Sequence, residues 1–300
     1  MWKYVFLMII SVMWGSQFFF AERVLDDVTP LTLSAVRTTI GAVTLTVIAA
    51  FMKIPSRTKE SRPQRTPWLL YVSIALFEAV LPFFLVAWGQ VRVTSSIASI
   101  IIGTTPIWTI LLVRIVSRKK MSFFQISGVL LGFTGILFVF LPSLGADTVT
   151  SGIAGITALV GAAVSYATAL VLLQYLPAAS AVTAMRNVLY IAAGILIALM
   201  FLMENPAFTE LSAGSIRDLV IIGSVQTGLV YWFYNLLVHA EGAVFASFSN
   251  YFIPPVGVLL GALVLHENLS IYVIFGLGII IVSLFISRMP NKHFRPKTGA

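Results

Sequence analysis

The chain contains no cysteine. Disulfides, thiolate metal sites and cysteine nucleophiles are therefore excluded. Charge is almost as scarce: 10% of the 300 residues are Asp, Glu, Lys or Arg, against about 25% in a soluble domain. A chain so poor in charge, and 59% hydrophobic, cannot cover a water-facing surface. His239, His266 and His293 are the only histidines, too scattered for a metal site, and no cofactor is expected. A phosphate-cradling GxxxxGK[ST] loop, an HExxH pair and any nucleophile-plus-base motif are missing, so neither a P-loop engine nor familiar hydrolytic chemistry is in view. No arginine-rich helix suggests voltage sensing. The expectation is a membrane protein that is not an enzyme.

What is present is apolar sequence in long runs. A span needs about 20 mostly apolar residues. Ten candidates satisfy this, at roughly 3–21, 30–52, 67–87, 94–114, 123–141, 153–173, 181–202, 217–237, 243–264 and 271–288. The first run follows Lys3 but closes Phe19-Phe20-Ala21 and continues into Glu22-Arg23. It is read as a span rather than a cleaved signal peptide. The net charge of +8 would suit nucleic acid in a soluble protein, but here the basic residues collect in a few loops. With the N-terminus inside, the inner face holds Lys3, the 53–65 loop, the Arg114–Lys120 turn and the 288–297 tail. The outer face holds only Arg23, Arg92 and Arg217. Positive charge favours the cytoplasmic side, so both termini are expected there. The tail is a topology anchor beside anionic lipid, and no nucleic-acid partner is expected.

The sequence repeats itself. At an offset of 148, Ala98-Ser99 falls on Ala246-Ser247, Pro106 on Pro254, Ser122 on Ser270 and Gly128 on Gly276; one residue off that frame, Arg37 falls on Arg186. A repeat of this size describes the whole fold. It predicts an all-α integral membrane protein of ten helices, with residues 1–146 and 147–300 as two five-helix repeats. Five spans is an odd number, so the second repeat enters the membrane inverted. The turns after the fourth and ninth spans agree: Arg118-Lys119-Lys120 is basic, while His266-Glu267-Asn268 carries an acid. Inverted repeats are common in secondary transporters, with the site between them near mid-membrane.

These features resemble the drug/metabolite transporter superfamily, EamA-type. The resemblance rests on Trp14-Gly15-Ser16 in the first span, Pro30 and Arg37 in the second, and a mid-span proline in the fourth and ninth. It also rests on Leu265-His266-Glu267-Asn268-Leu269-Ser270 followed by Gly276. The first repeat departs from the pattern, with Lys119 where the family has the turn glutamate. The resemblance implies carrier-mediated movement of small metabolites, often amino acids, commonly outward.

Glu78 is the leading candidate site residue. It lies about eleven residues into the third span, roughly 16 Å deep, where a carboxylate usually faces protein or water. It could contact a substrate amine or couple a proton. It could equally be a neutral carboxyl or a structural partner of an arginine. Its counterpart in the second repeat is Gln226. Arg37 and Arg186 are read as structural, bracing each repeat through loop carbonyls, with snorkelling to the headgroups and substrate contact as the other readings. Trp14, Ser16, Gln17, Ser99, Tyr166, Tyr231, Tyr234, Ser247 and Asn250 complete the expected cavity lining, since polar groups in hydrocarbon need partners. Pro106 and Pro254 each remove a backbone donor and are read as a matched pair of hinges, a static kink being the alternative. Gly128/Gly132 and Gly257/Gly261 are read as helix-packing positions.

The expected function is secondary transport of a small metabolite, an amino acid first and aromatic ones included, by alternating access. A carrier for other amphipathic compounds, proton-coupled or facilitative, is the near alternative. A membrane enzyme or lipid scramblase is the distant one. The expected partners are a small-molecule substrate and the bilayer of the cell membrane, and the protein is expected to work as a monomer or homodimer.

Overall fold

A computed structural model describes residues 2–51, 68–118, 121–144, 149–173, 175, 181–204, 211–241, 247–287 and 289. The 53–65 loop, Lys119-Lys120 and nearly all of the basic tail lie outside these, as does the side chain of Ser247. The described residues are helical, with no strand among them. Seven helices are long and apolar enough to cross a membrane: α1 (Trp2–Val24), α2 (Pro30–Phe51), α3 (Trp68–Gln90), α4 (Ser95–Val116), α6 (Thr150–Leu173), α7 (Val182–Met203) and α8 (Ala213–Leu237). Three more are apolar but shorter: α5 (Phe123–Val139), α9 (Ser249–Leu263) and α10 (Ile271–Ser287). The chain is a multi-pass membrane protein.

Local chemistry sets the helix starts. Pro30 opens α2 at the position that needs no N–H, and the Thr29 hydroxyl accepts from Thr32 N at 3.3 Å. Ser122 and Gln125 form a reciprocal capping box at α5, at 3.2 and 3.0 Å. Ser212 accepts from Ser215 N at the head of α8, at 3.1 Å. Such caps satisfy donors that a helix cannot satisfy itself.

Three departures from regular helix recur at an interval of 148 residues. α3 contains a π-helical turn at Leu76–Val80 and α8 another at Ser224–Leu229. α4 breaks after Ile102 and restarts at Thr105-Pro106, while a 3-10 turn (Ser247–Tyr251) gives way to helix at Ile253-Pro254. Arg118 and His266 are both left-handed, at φ 52° and 54°.

Packing follows the same repeat. α5 packs on α10, α2 on α7, α4 on α9, α3 on α6, α1 on α8, α1 on α9, α4 on α6, α2 on α8 and α3 on α7. Exchanging the first five helices for the last five returns the same set. Where α4 crosses α9, a Cβ on Gly103 would lie 2.2 Å from Pro254 Cγ, and one on Gly257 2.3 Å from Ser99 Cβ. Only glycine permits so close an approach. Gly128 and Gly132 likewise pack within the chain, against Ser287 and Ile107.

Ion pairs mark the helix directions. Lys3 meets Glu241, beyond the end of α8, at 3.0 Å, and Arg23 meets Asp218, near its start, at 2.8 Å. α1 and α8 are therefore antiparallel.

Candidate functional site

The side chains that carry charge or amides deep in the bundle meet at the middle of α1, α2, α3 and α8. Arg37 is 4% exposed and Glu78 7%. Arg37 Nη2 donates to Gln17 Oε1 at 3.0 Å and to Thr227 Oγ1 at 3.2 Å; Nε also reaches Thr227 Oγ1, at 3.4 Å. Its guanidinium lies 4.0 Å from the centroid of the Phe83 ring, a cation–π contact strengthened by desolvation. One turn further along α8, the Tyr231 hydroxyl donates to Glu78 Oε1 at 2.7 Å. Tyr166 of α6 packs against the buried cluster that includes Phe83 and Tyr231. Gln226 Nε2 donates to Ser16 Oγ at 2.9 Å. Trp14 closes the cluster against Tyr231 and Tyr234, at centroid distances of 6.2 and 5.1 Å.

The π turns place these groups. A wide turn frees a backbone carbonyl and rotates the side chains that follow. In α3 the Phe77 carbonyl accepts from Ser165 Oγ at 2.9 Å, next to Glu78. In α8 the Ile222 carbonyl accepts from Thr227 Oγ1 at 2.9 Å, so Thr227 serves both a loosened backbone and Arg37.

The cluster is not self-sufficient. Glu78 Oε2, Gln226 Oε1 and, nearer the end of α3, Gln90 Oε1 are buried without a hydrogen-bond partner among the described residues. Buried polar atoms without partners are costly, and in hydrocarbon no water relieves them. Two of these acceptors, on Glu78 and Gln226, lie within the cluster.

Arg37 differs from expectation. It is buried and bonds side chains of α1 and α8, not loop carbonyls. The physical reason is the approach of α8 to α2, where a Cβ on Gly41 would fall 2.6 Å from Thr227 Cγ2. Arg186 is half-buried and its guanidinium bonds the neighbouring Asn187, at 3.3 and 3.4 Å, so the two arginines are not equivalent. Ser99 is buried on the α4–α9 crossing, where it donates to Ser96 O at 2.8 Å. Asn250 lies half-buried in the 3-10 turn at the head of α9. Neither joins the cluster. Thr227 and Phe83 do join it; Phe83 has no polar group to mark it in the sequence. Thr227 follows Gln226 directly, and Phe83 lies five residues past Glu78.

A second polar group sits at the N-terminus of α4. Glu267 Oε1 accepts from Ser95 N at 3.0 Å and Ser95 Oγ at 2.6 Å, and Oε2 accepts from Ser96 N at 3.2 Å. Glu22 Oε2 accepts from the same Ser95 N–H at 2.9 Å. The turn glutamate thus caps a helix of the other half of the chain. Between α1 and α2, the hydroxyls of Ser215 and then Ser212 hold the Asp27 carboxyl below the usual aspartate range.

Comparison with known proteins agrees with this architecture. The uncharacterized transporter YoaV of Bacillus subtilis (strain 168) is 25% identical over 286 residues, covering 94% of this chain and 96% of its own. An uncharacterized transporter of Archaeoglobus fulgidus is 24% identical over 288 residues, covering 95% and 98%. A solved crystal structure of a protein superposes with a TM-score of 0.68 over 95% of this chain and 96% of its own, at 15% identity, a likeness of fold. The sequence pattern of the EamA-like transporter family matches residues 1–141 and 153–289, nearly the entire chain, and the chain belongs to that family.

Proposed function

We propose that the protein is a secondary carrier exporting small metabolites, amino acids first and aromatic ones included, by alternating access. The observation that carries this reading is the buried cluster around Glu78 and Arg37. It is drawn from both halves of the chain, walled by Trp14, Tyr231 and Tyr234, and left with unmet acceptors. A mid-membrane site between repeats is the arrangement transporters use.

In this reading ten membrane helices form two inverted five-helix repeats, residues 1–146 and 147–300, in the cell membrane with both termini cytoplasmic. Support comes from the π turns, proline breaks and left-handed turns recurring at 148 residues, and from the most extensive helix contacts, which are unchanged on exchanging the halves. The breaks at Pro106 and Pro254 serve as hinges where α4 and α9 cross. Glu78 exchanges a proton for the substrate's ammonium group. One copy of the chain supplies a complete site, so a monomer suffices and a homodimer would add nothing to it.

Proteoliposome counterflow of labelled amino acids tests this. Saturable exchange is expected, accelerated by an imposed pH gradient in the parent and indifferent to it in Glu78→Gln. Non-saturable flux would indicate a pore. Flux unaffected by the gradient in both proteins would leave a facilitative carrier and remove Glu78 from coupling.

A further inference from the structure

Among the described residues, the ion pairs are Lys3–Glu241, Arg23–Asp218 and Arg217–Asp218. Neither Arg37 nor Glu78 is in any of them, although both are buried in a membrane-spanning bundle. Unpaired buried charge is expensive, and in a membrane it marks a ligand pathway. The two groups are also incompletely bonded in complementary ways. Arg37 Nη1 donates to no described acceptor, its bonds being made by Nε and Nη2. Glu78 Oε2 accepts from no described donor.

Both groups are positioned by α8. Arg37 is held on Thr227 and Glu78 on Tyr231, four residues apart on that helix. Charge-assisted hydrogen bonds from one ligand that carries both an anionic and a cationic group would satisfy the open positions of both. We propose that Arg37 and Glu78 are the two ends of a dipolar subsite that holds the carboxylate and the ammonium of a zwitterionic α-amino acid. This rests on the transport reading above and narrows it. The guanidinium edge takes the carboxylate, Glu78 Oε2 takes the ammonium, and the Trp14–Tyr231–Tyr234 wall takes the side chain. A purely cationic amine satisfies Glu78 but leaves Arg37 uncompensated beside a second positive charge, so cationic amphiphiles are selected against. Arg37 is then a specificity-determining residue rather than a brace.

The test is equilibrium binding to the purified full-length protein in lipid nanodiscs. The twenty L-amino acids are screened, and the tightest is compared with its amide and with its deaminated acid. In the parent protein both analogues are expected to bind at least tenfold more weakly. Arg37→Gln is expected to bring acid and amide within threefold of each other, with Arg37→Lys in between, and Glu78→Gln to do the same for the amino acid and its deaminated form. The parent comparison holds even if a variant does not fold. An amide that binds the parent as tightly as its acid, or an acid–amide gap that survives Arg37→Gln, overturns the proposal. Counterflow of tetraphenylphosphonium without binding of any amino acid also overturns it, but leaves carrier function intact. Absence of counterflow with every solute sinks both.

Discussion

Replacing Gly103 by alanine puts a methyl group 2.2 Å from Pro254 Cγ and 3.0 Å from its Cδ. Carbon–carbon contact is optimal at about 3.5–4.0 Å, so the shortfall is about 1.3–1.8 Å. The proline ring is fixed to its own backbone and cannot swing aside. α4 must therefore move off α9. Overpacking of this kind costs about 1–3 kcal/mol. Against it stands the intrinsic gain of Gly→Ala in a right-handed helical conformation, φ −58° and ψ −15° at Gly103, worth at most about 1 kcal/mol. The clash wins, with a net loss of about 1–2 kcal/mol, or a roughly 5- to 30-fold shift away from the closed α4–α9 crossing. With no native cysteine, a single Ser95→Cys at the buried head of α4 reports opening through its rate of alkylation by a soluble maleimide. That rate is expected to rise about 5- to 30-fold on adding Gly103→Ala. The control is Gly194→Ala in α7, where an added Cβ meets nothing within 4 Å; labelling should not change and Tm should hold or rise. Equal labelling with and without Gly103→Ala, or equal damage from Gly194→Ala, would refute the reasoning.

Thr227→Val keeps shape but removes the acceptor that Arg37 uses twice; about 1–2 kcal/mol of stability should be lost, within the range for polar contacts between membrane helices, as read by unfolding in mixed micelles. Glu267→Ala strips the anion from the head of α4 and should cost about 1–3 kcal/mol, moderated because repulsion from Glu22 is relieved; an unchanged Tm would remove the cap from the account. Tyr231→Phe leaves Glu78 without its 2.7 Å donor, and gradient-driven exchange should fall more than exchange without a gradient. Equal effects on both would assign Tyr231 to the cavity wall alone.

The membrane-crossing runs were legible because burial in lipid demands length and apolarity, both written locally. Pro106 and Pro254 announced the breaks in α4 and at the head of α9 for the same reason: a missing N–H is a property of one residue. Glu78 stood out as a carboxylate in a hydrocarbon run, and it lies in the cluster. The π turns at Leu76–Val80 and Ser224–Leu229 were not legible. No residue type encodes a wide turn; tertiary contacts such as Ser165 on the Phe77 carbonyl hold it open. The left-handed Arg118 and His266 were equally hidden, since neither is the glycine or asparagine that usually signals that conformation. The partners of Arg37 were not legible, because depth along a helix says nothing about which neighbour closes over it. The approach of α8 at Gly41 decides that, and it depends on pairing across the chain.

Two halves that lie oppositely in the bilayer put their matching turns on opposite faces. Arg118 and His266 occupy matching left-handed turns and are both exposed, so the decisive measurement is labelling of Arg118→Cys and His266→Cys, one at a time, by an impermeant maleimide in intact cells. The account expects His266→Cys to label from outside and Arg118→Cys only after permeabilisation. Labelling of both from the same side would contradict it.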